Sequence, residues 1–189
     1  FFPPLSGRLH VAKNDDDTSS FYINCNDSGA LFTHAAALGV HVRDVADSVH
    51  VPIIVRSFFS LNGALNIEGV SNPLLGVQVT ELEDGLFVAC TMNHCVADGT
   101  SFWHFFNFWS EISRGGSGQI SKFPSFDRSF VRRYTENCVV SVTDQSFEQN
   151  FKNNKTPPPP PLLERVFRFD KESIAKLKAK ANSEATTNK

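Results

Sequence analysis

Charge of one sign, a cysteine framework and a long apolar run are all missing from this chain, and each absence narrows what it can be. Eighteen basic residues against twenty acidic ones leave a formal net charge of −2. That balance offers no broad electrostatic footprint for nucleic acid or for an anionic membrane surface. The four cysteines, Cys25, Cys90, Cys95 and Cys138, are scattered, and three lie in or beside apolar strand-like runs. The pattern suits reduced, buried thiols in a cytoplasmic setting rather than a disulfide scaffold, and leaves the sequons at Asn26 and Asn154 unused. No stretch approaches the ~20 apolar residues of a membrane span, and no signal peptide is visible. A Gly-x-Ser-x-Gly elbow is absent, which removes the simplest serine-hydrolase reading of Ser101. There is no internal repeat. What is left is an ordinary globular composition: 189 residues, 41% hydrophobic, with 18 phenylalanines. It is enough to bury one sizeable core.

The most informative stretch is Met92-Asn93-His94-Cys95-Val96-Ala97-Asp98-Gly99. Upstream, Leu74 to Thr80 and Leu86 to Thr91 are apolar and flank Glu81-Leu82-Glu83-Asp84-Gly85, where Asp-Gly predicts a tight hairpin with positive φ. Downstream, Phe102, Phe105, Phe106, Trp109 and Ile112 recur at helical spacing, with Ser101 or Thr100 as the expected N-cap and Gly115 as the stop signal. His94 therefore falls at a strand-to-helix turn. An imidazole titrates near neutrality, which suits it to take a proton from a hydroxyl or amine. Asp98 can hold the loop by pairing with an arginine and capping backbone amides.

Blander readings stand beside this one. A histidine at a strand end is also a common hydrogen-bonded structural residue. Metal binding would need a third ligand at recognisable spacing, and His104 lies on the wrong side of an aromatic helix to supply it, so no metal is expected. Cys95 adjoins His94, but neighbours in extended chain point apart, which disfavours a Cys-His dyad. The aromatic stripe suits an acyl pocket or a core, and its helical spacing favours core.

Along the rest of the chain, Arg8 to Ala12 and Phe21 to Asn24 read as strands around a polar loop. Ala30 to Leu38 suits a strand or a short helix, and the pattern favours a strand followed by a helix near Val42 to Asp47. The glycines from Gly115 to Gly118 end a helix more naturally than they cradle a phosphate. Arg132-Arg133 is a solvated pair. Thr156 followed by Pro157 to Pro161 could serve an SH3-type partner, and its place between two expected folded segments favours a stiff spacer. Leu163 to Phe169 then predicts a strand, and Asp170 to Ala181 a helix capped by Asp170 with Ile174, Leu177, Lys178 and Ala181 on one face.

Five blocks in order carry a family resemblance. His94-Cys95-Val96-Ala97-Asp98-Gly99 resembles the HxxxDG segment of plant BAHD acyltransferases. Phe1 to Leu9 (FFPPLSGRL) resembles the family's F-Y-P-L-A-G-R-L block. Asn24 to Ala35 resembles its strand, D-x-G turn and F-x-x-A sequence. Val77 to Thr80 resembles the strand before the catalytic hairpin, and Phe123-Pro124-Ser125-Phe126-Asp127-Arg128 the P-x-x-D-R loop. The likeness is greatest to the uncharacterised acetyltransferase-like branch. Two departures stand out. Glu83-Asp84-Gly85 replaces the common Cys-Gly-Gly turn, and no Asp-Phe-Gly-Trp-Gly motif occurs.

The resemblance implies an α/β fold, a mixed sheet with helices, in the first of two chloramphenicol acetyltransferase-like domains. Residues 1–155 would form most of that N-terminal domain, 156–161 a Pro-rich linker, and 162–189 the approach to a crossover, with the C-terminal domain absent. It implies acyl transfer from a coenzyme A thioester, a cosubstrate rather than a bound cofactor, to a small-molecule alcohol or amine, by a monomer. His94 would be the general base. Asp98 would support the loop, and Gly99 would sit in a crowded turn where a side chain would block the channel. A non-catalytic binding or scaffold module derived from such an enzyme is the alternative.

Overall fold

The computed structural model describes residues 1–115, 120–127, 141–147 and 162–187. Gly116 and Gly118, Arg128, Arg132 and Arg133, Cys138, the Asn154 sequon and the prolines 157–161 lie outside the described residues.

Two three-stranded sheets organise the chain. In the first, β1 (Arg8–Lys13) and β2 (Thr18–Asn24) pair antiparallel from Arg8↔Asn24 to Lys13↔Ser19, and β6 (Ser141–Thr143) adds to the start of β2. The expected polar loop is shorter than its composition suggests, because Asp17 turns the chain at φ 57° and returns Thr18 to Ser20 to the ladder. In the second sheet, β4 (Leu75–Leu82) is central. It runs parallel to β3 (Leu31–Ala36) and antiparallel to β5 (Gly85–Met92), so the sheet is mixed. The parallel crossover from β3 to β4 carries α1 (Val42–Ala46) and 3-10 turns at Ile53–Phe58 and Asn66–Val70. Helix α2 (Gly99–Gly115) follows β5. A short α3 (Asp144–Phe147) and the terminal α4 (Lys171–Thr187) complete the described elements.

Strand β4 is buried on both faces, which explains why its sequence lacks a clean polar alternation. Its one buried amide, Gln78, is satisfied by donating from Nε2 to the Ser57 carbonyl and to Thr80 Oγ1, each at 3.0 Å. On one face Leu75, Val77 and Cys90 join Leu5 in a core against which Phe2, Phe102, Phe105, Phe106 and Trp109 pack. The aromatic stripe of α2 is thus core, as its spacing predicts. The most buried residue of that helix is nevertheless Phe108, outside the stripe, because Phe1, Phe2 and Phe123 close over it at ring separations of 5.0 to 6.0 Å.

The hairpin forms where the sequence places it, with Leu82 opposite Gly85 and a two-residue turn at Glu83 and Asp84. Its expected positive φ does not occur: neither Asp84 nor Gly85 is left-handed. Gly85 has a steric reason instead, since a Cβ there would lie 2.6 Å from Val42 Cγ2 of α1. The turn's carboxylates hold the β3–α1 connection, with the Gly39 amide donating to Glu83 (3.0 Å) and the Val42 amide to Asp84 (2.7 Å).

Three further expectations change. Leu163 to Phe169 forms no strand; it is extended chain joined to residues 49–51 by one bridge, His50↔Arg165, because nothing continues the ladder on either side. The helix capped by Asp170 forms, with the Ser173 amide donating to its carboxylate at 2.7 Å, but Ile174 and Leu177 of its apolar face are exposed. Among the described cysteines all three are free, yet only Cys90 is buried. Cys25 and Cys95 lie just beyond strand ends, where the sheet no longer covers them.

Candidate active site

The turn between β5 and α2 is built almost entirely from side chains that accept backbone amides. The ladder of β5 ends at Met92, opposite Leu75, and the Asn93 amide still reaches the Leu74 carbonyl at 2.9 Å. Beyond it the strand has no neighbour to follow. The His94 amide donates to Asn66 Oδ1 at 3.1 Å, and the Cys95 amide to Asn93 Oδ1 at 3.0 Å. Asn93 Nδ2 donates in turn to the Asn66 carbonyl at 3.1 Å, and the Val96 amide closes on the Asn93 carbonyl at 3.1 Å. The 3-10 turn Asn66–Val70 packs tightly under this clamp: a Cβ at Gly69 would lie 2.7 Å from Leu74 Cδ2 and 3.0 Å from Asn93 Nδ2.

Asp98, rather than Ser101 or Thr100, is the N-cap of α2. Its carbonyl accepts the Phe102 amide at 2.9 Å and its Oδ1 accepts the Ser101 amide at 2.8 Å. The helix begins earlier than its apolar spacing predicts because β5 releases the backbone soon enough for Asp98 to cap first, and Asp caps as well as Ser. The Ser101 amide, aided by the Ser101 hydroxyl, holds the Asp98 carboxyl below the usual aspartate range. Among the described residues no arginine pairs with it.

His94 and Asp98 line one side of the loop, a cleft of about 430 Å³ shared with Phe59, Asn62, Gly63, Thr91 and Phe102. The histidine is exposed, and among the described residues its ring nitrogens have no hydrogen-bond partner. Cys95 faces the other way, into an aromatic cleft of about 700 Å³ bounded by Phe2, Phe21, Tyr22, Phe105 and Phe126. The two neighbours therefore open into different cavities, and Met92 and Ala97 border both. Partial enclosure of Cys95 pushes its thiol above the ordinary value, the opposite of an activated thiolate. Gly99 borders the His94 cleft but is not crowded: a Cβ there would meet nothing within 4 Å among the described residues. The space lies open because Gly99 opens a helix that faces the cleft rather than a packed turn. His104 donates from Nε2 to the Lys122 carbonyl at 3.0 Å, and among the described residues no cluster of side chains could hold a metal.

The strand exit, the exposed imidazole and the capped helix coincide with a whole-chain likeness to known proteins. The family model described as "Transferase family" matches residues 1–189. The chain is 40% identical over 188 residues to an uncharacterized acetyltransferase of Arabidopsis thaliana, covering 96% of this chain and 40% of that protein. It is 38% identical over 188 residues to the BAHD acyltransferase DCR of the same plant, with 96% and 38% coverage. The chain belongs to the BAHD transferase family. It spans about 40% of the length of these relatives. The crystal structure of vinorine synthase shares the fold, with a TM-score of 0.59 at 24% identity over 95% of this chain and 39% of that one. The mixed α/β architecture expected of the family is the one observed.

Within this BAHD chain, the two asparagines of the clamp escaped the sequence reading. Asn93 carried a usable signal, an Asx residue at a strand exit beside the histidine, which favours an i→i+2 turn. Asn66 carried none, since it lies 28 residues upstream and is brought to the loop only by the crossover.

Proposed function

We propose that the protein transfers an acyl group from an acyl-CoA thioester to a hydroxyl or amine of a small-molecule acceptor, with His94 as general base. The observation that most supports this reading is the His94 imidazole itself, exposed in a cleft and free of partners among the described residues, on a rigidly hydrogen-bonded loop of a BAHD chain. A structural histidine would be expected to spend its ring nitrogens on nearby groups. The acceptor's proton passes to the imidazole as its oxygen or nitrogen attacks the thioester carbonyl. The tetrahedral intermediate collapses with cleavage of the C–S bond, and the imidazolium returns the proton to the departing sulfur. Coenzyme A is a cosubstrate in this scheme, and neither a metal nor a prosthetic group takes part.

Asp98, spent on the first turn of α2, supports the loop from behind rather than sharing the proton. Residues 1–155 make most of an N-terminal domain, 156–161 a linker and 162–189 the approach to a second domain that completes the site. In the full-length protein, His94→Ala lowers kcat by roughly 10²- to 10⁴-fold, read as free CoA released from acyl-CoA donors in the presence of pooled alcohols and amines. Unchanged turnover in that variant removes the assignment. A folded protein that releases no CoA with any donor is instead a binding module.

A further inference from the structure

We infer that Asn66 is the positioning residue of the proposed reaction, acting through the backbone of His94; this rests on the reading of His94 as general base. The His94 amide lies beyond the end of β5 on the side facing away from β4, where no strand offers a carbonyl, and Asn66 Oδ1 accepts it at 3.1 Å. The same asparagine is held from its main chain, where its carbonyl accepts Asn93 Nδ2 at 3.1 Å. Asn93 is itself tied to the Leu74 carbonyl and to the Cys95 amide. The orientation of the His94 Cα–Cβ bond is thereby set by one side-chain acceptor from a 3-10 turn, braced against the strand exit by the close packing at Gly69.

Only the acceptor oxygen is used. Among the described residues Asn66 Nδ2 has no partner, so the chemistry required at position 66 is a carbonyl or carboxylate oxygen on a short stem. Misplacing a general base by about 1 Å costs on the order of 10²-fold in rate while leaving substrate binding to other surfaces. Loss of the acceptor should therefore appear in kcat and not in KM.

The test compares Asn66→Leu, which keeps the branching at Cγ but removes the acceptor, with Asn66→Asp, which keeps the acceptor. Both are made in the full-length protein, alongside His94→Ala, with kcat, KM, Tm and the pH profile of kcat/KM measured. The expected result is a kcat for Asn66→Leu at least ~10-fold below the parent at similar KM, and substantial recovery in Asn66→Asp. The added carboxylate beside His94 should also move the acidic limb of the profile to higher pH, since it favours the imidazolium. Normal kcat in Asn66→Leu, equal losses in both variants, or a fall in Tm with kcat intact overturns the positioning role. Failure of His94→Ala to lose activity sinks the general-base reading instead, whatever position 66 does.

Discussion

Asp98 earns its place in the HxxxDG segment by what it does to the helix behind it. Its carboxylate accepts the Ser101 amide, and that bond holds its pKa below the usual aspartate range. A carboxyl depressed in the folded state stabilises the fold above the unfolded-state value of about 4 and loses that contribution as pH falls through its folded value. Asp98→Asn keeps a capping oxygen and loses only the charge. Its Tm should lie below the parent's at neutral pH, and the two melting curves should converge as pH drops below about 4. A difference in Tm that persists undiminished at low pH would show that the charge is not what the helix uses. The spacing of His94, Asp98 and Gly99 was readable, since it needs only the chain order. Which of Asp98, Thr100 and Ser101 capped the helix was not, because all three are acceptable caps and the choice depends on where β5 releases the backbone.

Two glycines show how differently one residue type is used within elements. A Cβ at Gly7, where the chain enters β1, would run into the Asn24 carbonyl at the end of β2. Backbone cannot swing aside as a side chain can, so Gly7→Ala should cost about 1–3 kcal/mol, the usual range for forcing atoms into packed space. Gly99 opens α2 with nothing within 4 Å of a Cβ, and Gly99→Ala should leave the denaturation midpoint unchanged or slightly raised. Urea melts of the pair test both expectations at once. Equal destabilisation would mean that the space before α2 is filled by residues beyond those described. The strands and α2 were legible because periodicity survives without tertiary context. Leu163 to Phe169 misled because β composition records only that a segment suits a sheet, and here no sheet edge runs beside it.

One face of the β3–β4–β5 sheet leaves several apolar side chains exposed. Phe32, Val77 and Cys90 stand in register on the face that α2 packs against, and on the same side the rows of Val88 and Leu86 extend past the helix with the hydrogen-bonded pair His34 and Glu81 among them. Phe32 is 66% exposed and Leu86 63%, while Ile174 and Leu177 of α4 face outward as well. Exposed apolar side chains gathered around one polar pair suit an interface. If the proposed second domain covers it, purified residues 1–189 should enhance the fluorescence of an apolar dye such as ANS and self-associate in sedimentation, and Phe32→Glu with Leu86→Glu should suppress both. The full-length protein should do neither. Absence of dye binding by residues 1–189 would mean that the chain covers this face itself.

Local order along the chain carried the family, the mixed α/β class, the hairpin, the helix after it and the place of the histidine, because each depends on neighbours a few residues apart. The clamp that aims His94 and the steric need for Gly7 and Gly85 were decided by tertiary structure alone. Those features join residues tens of positions apart, Asn66 with His94 and Val42 with Gly85 among them. A hydrogen bond or a van der Waals contact is fixed by distance in space, and sequence separation does not encode that distance until the crossover has folded.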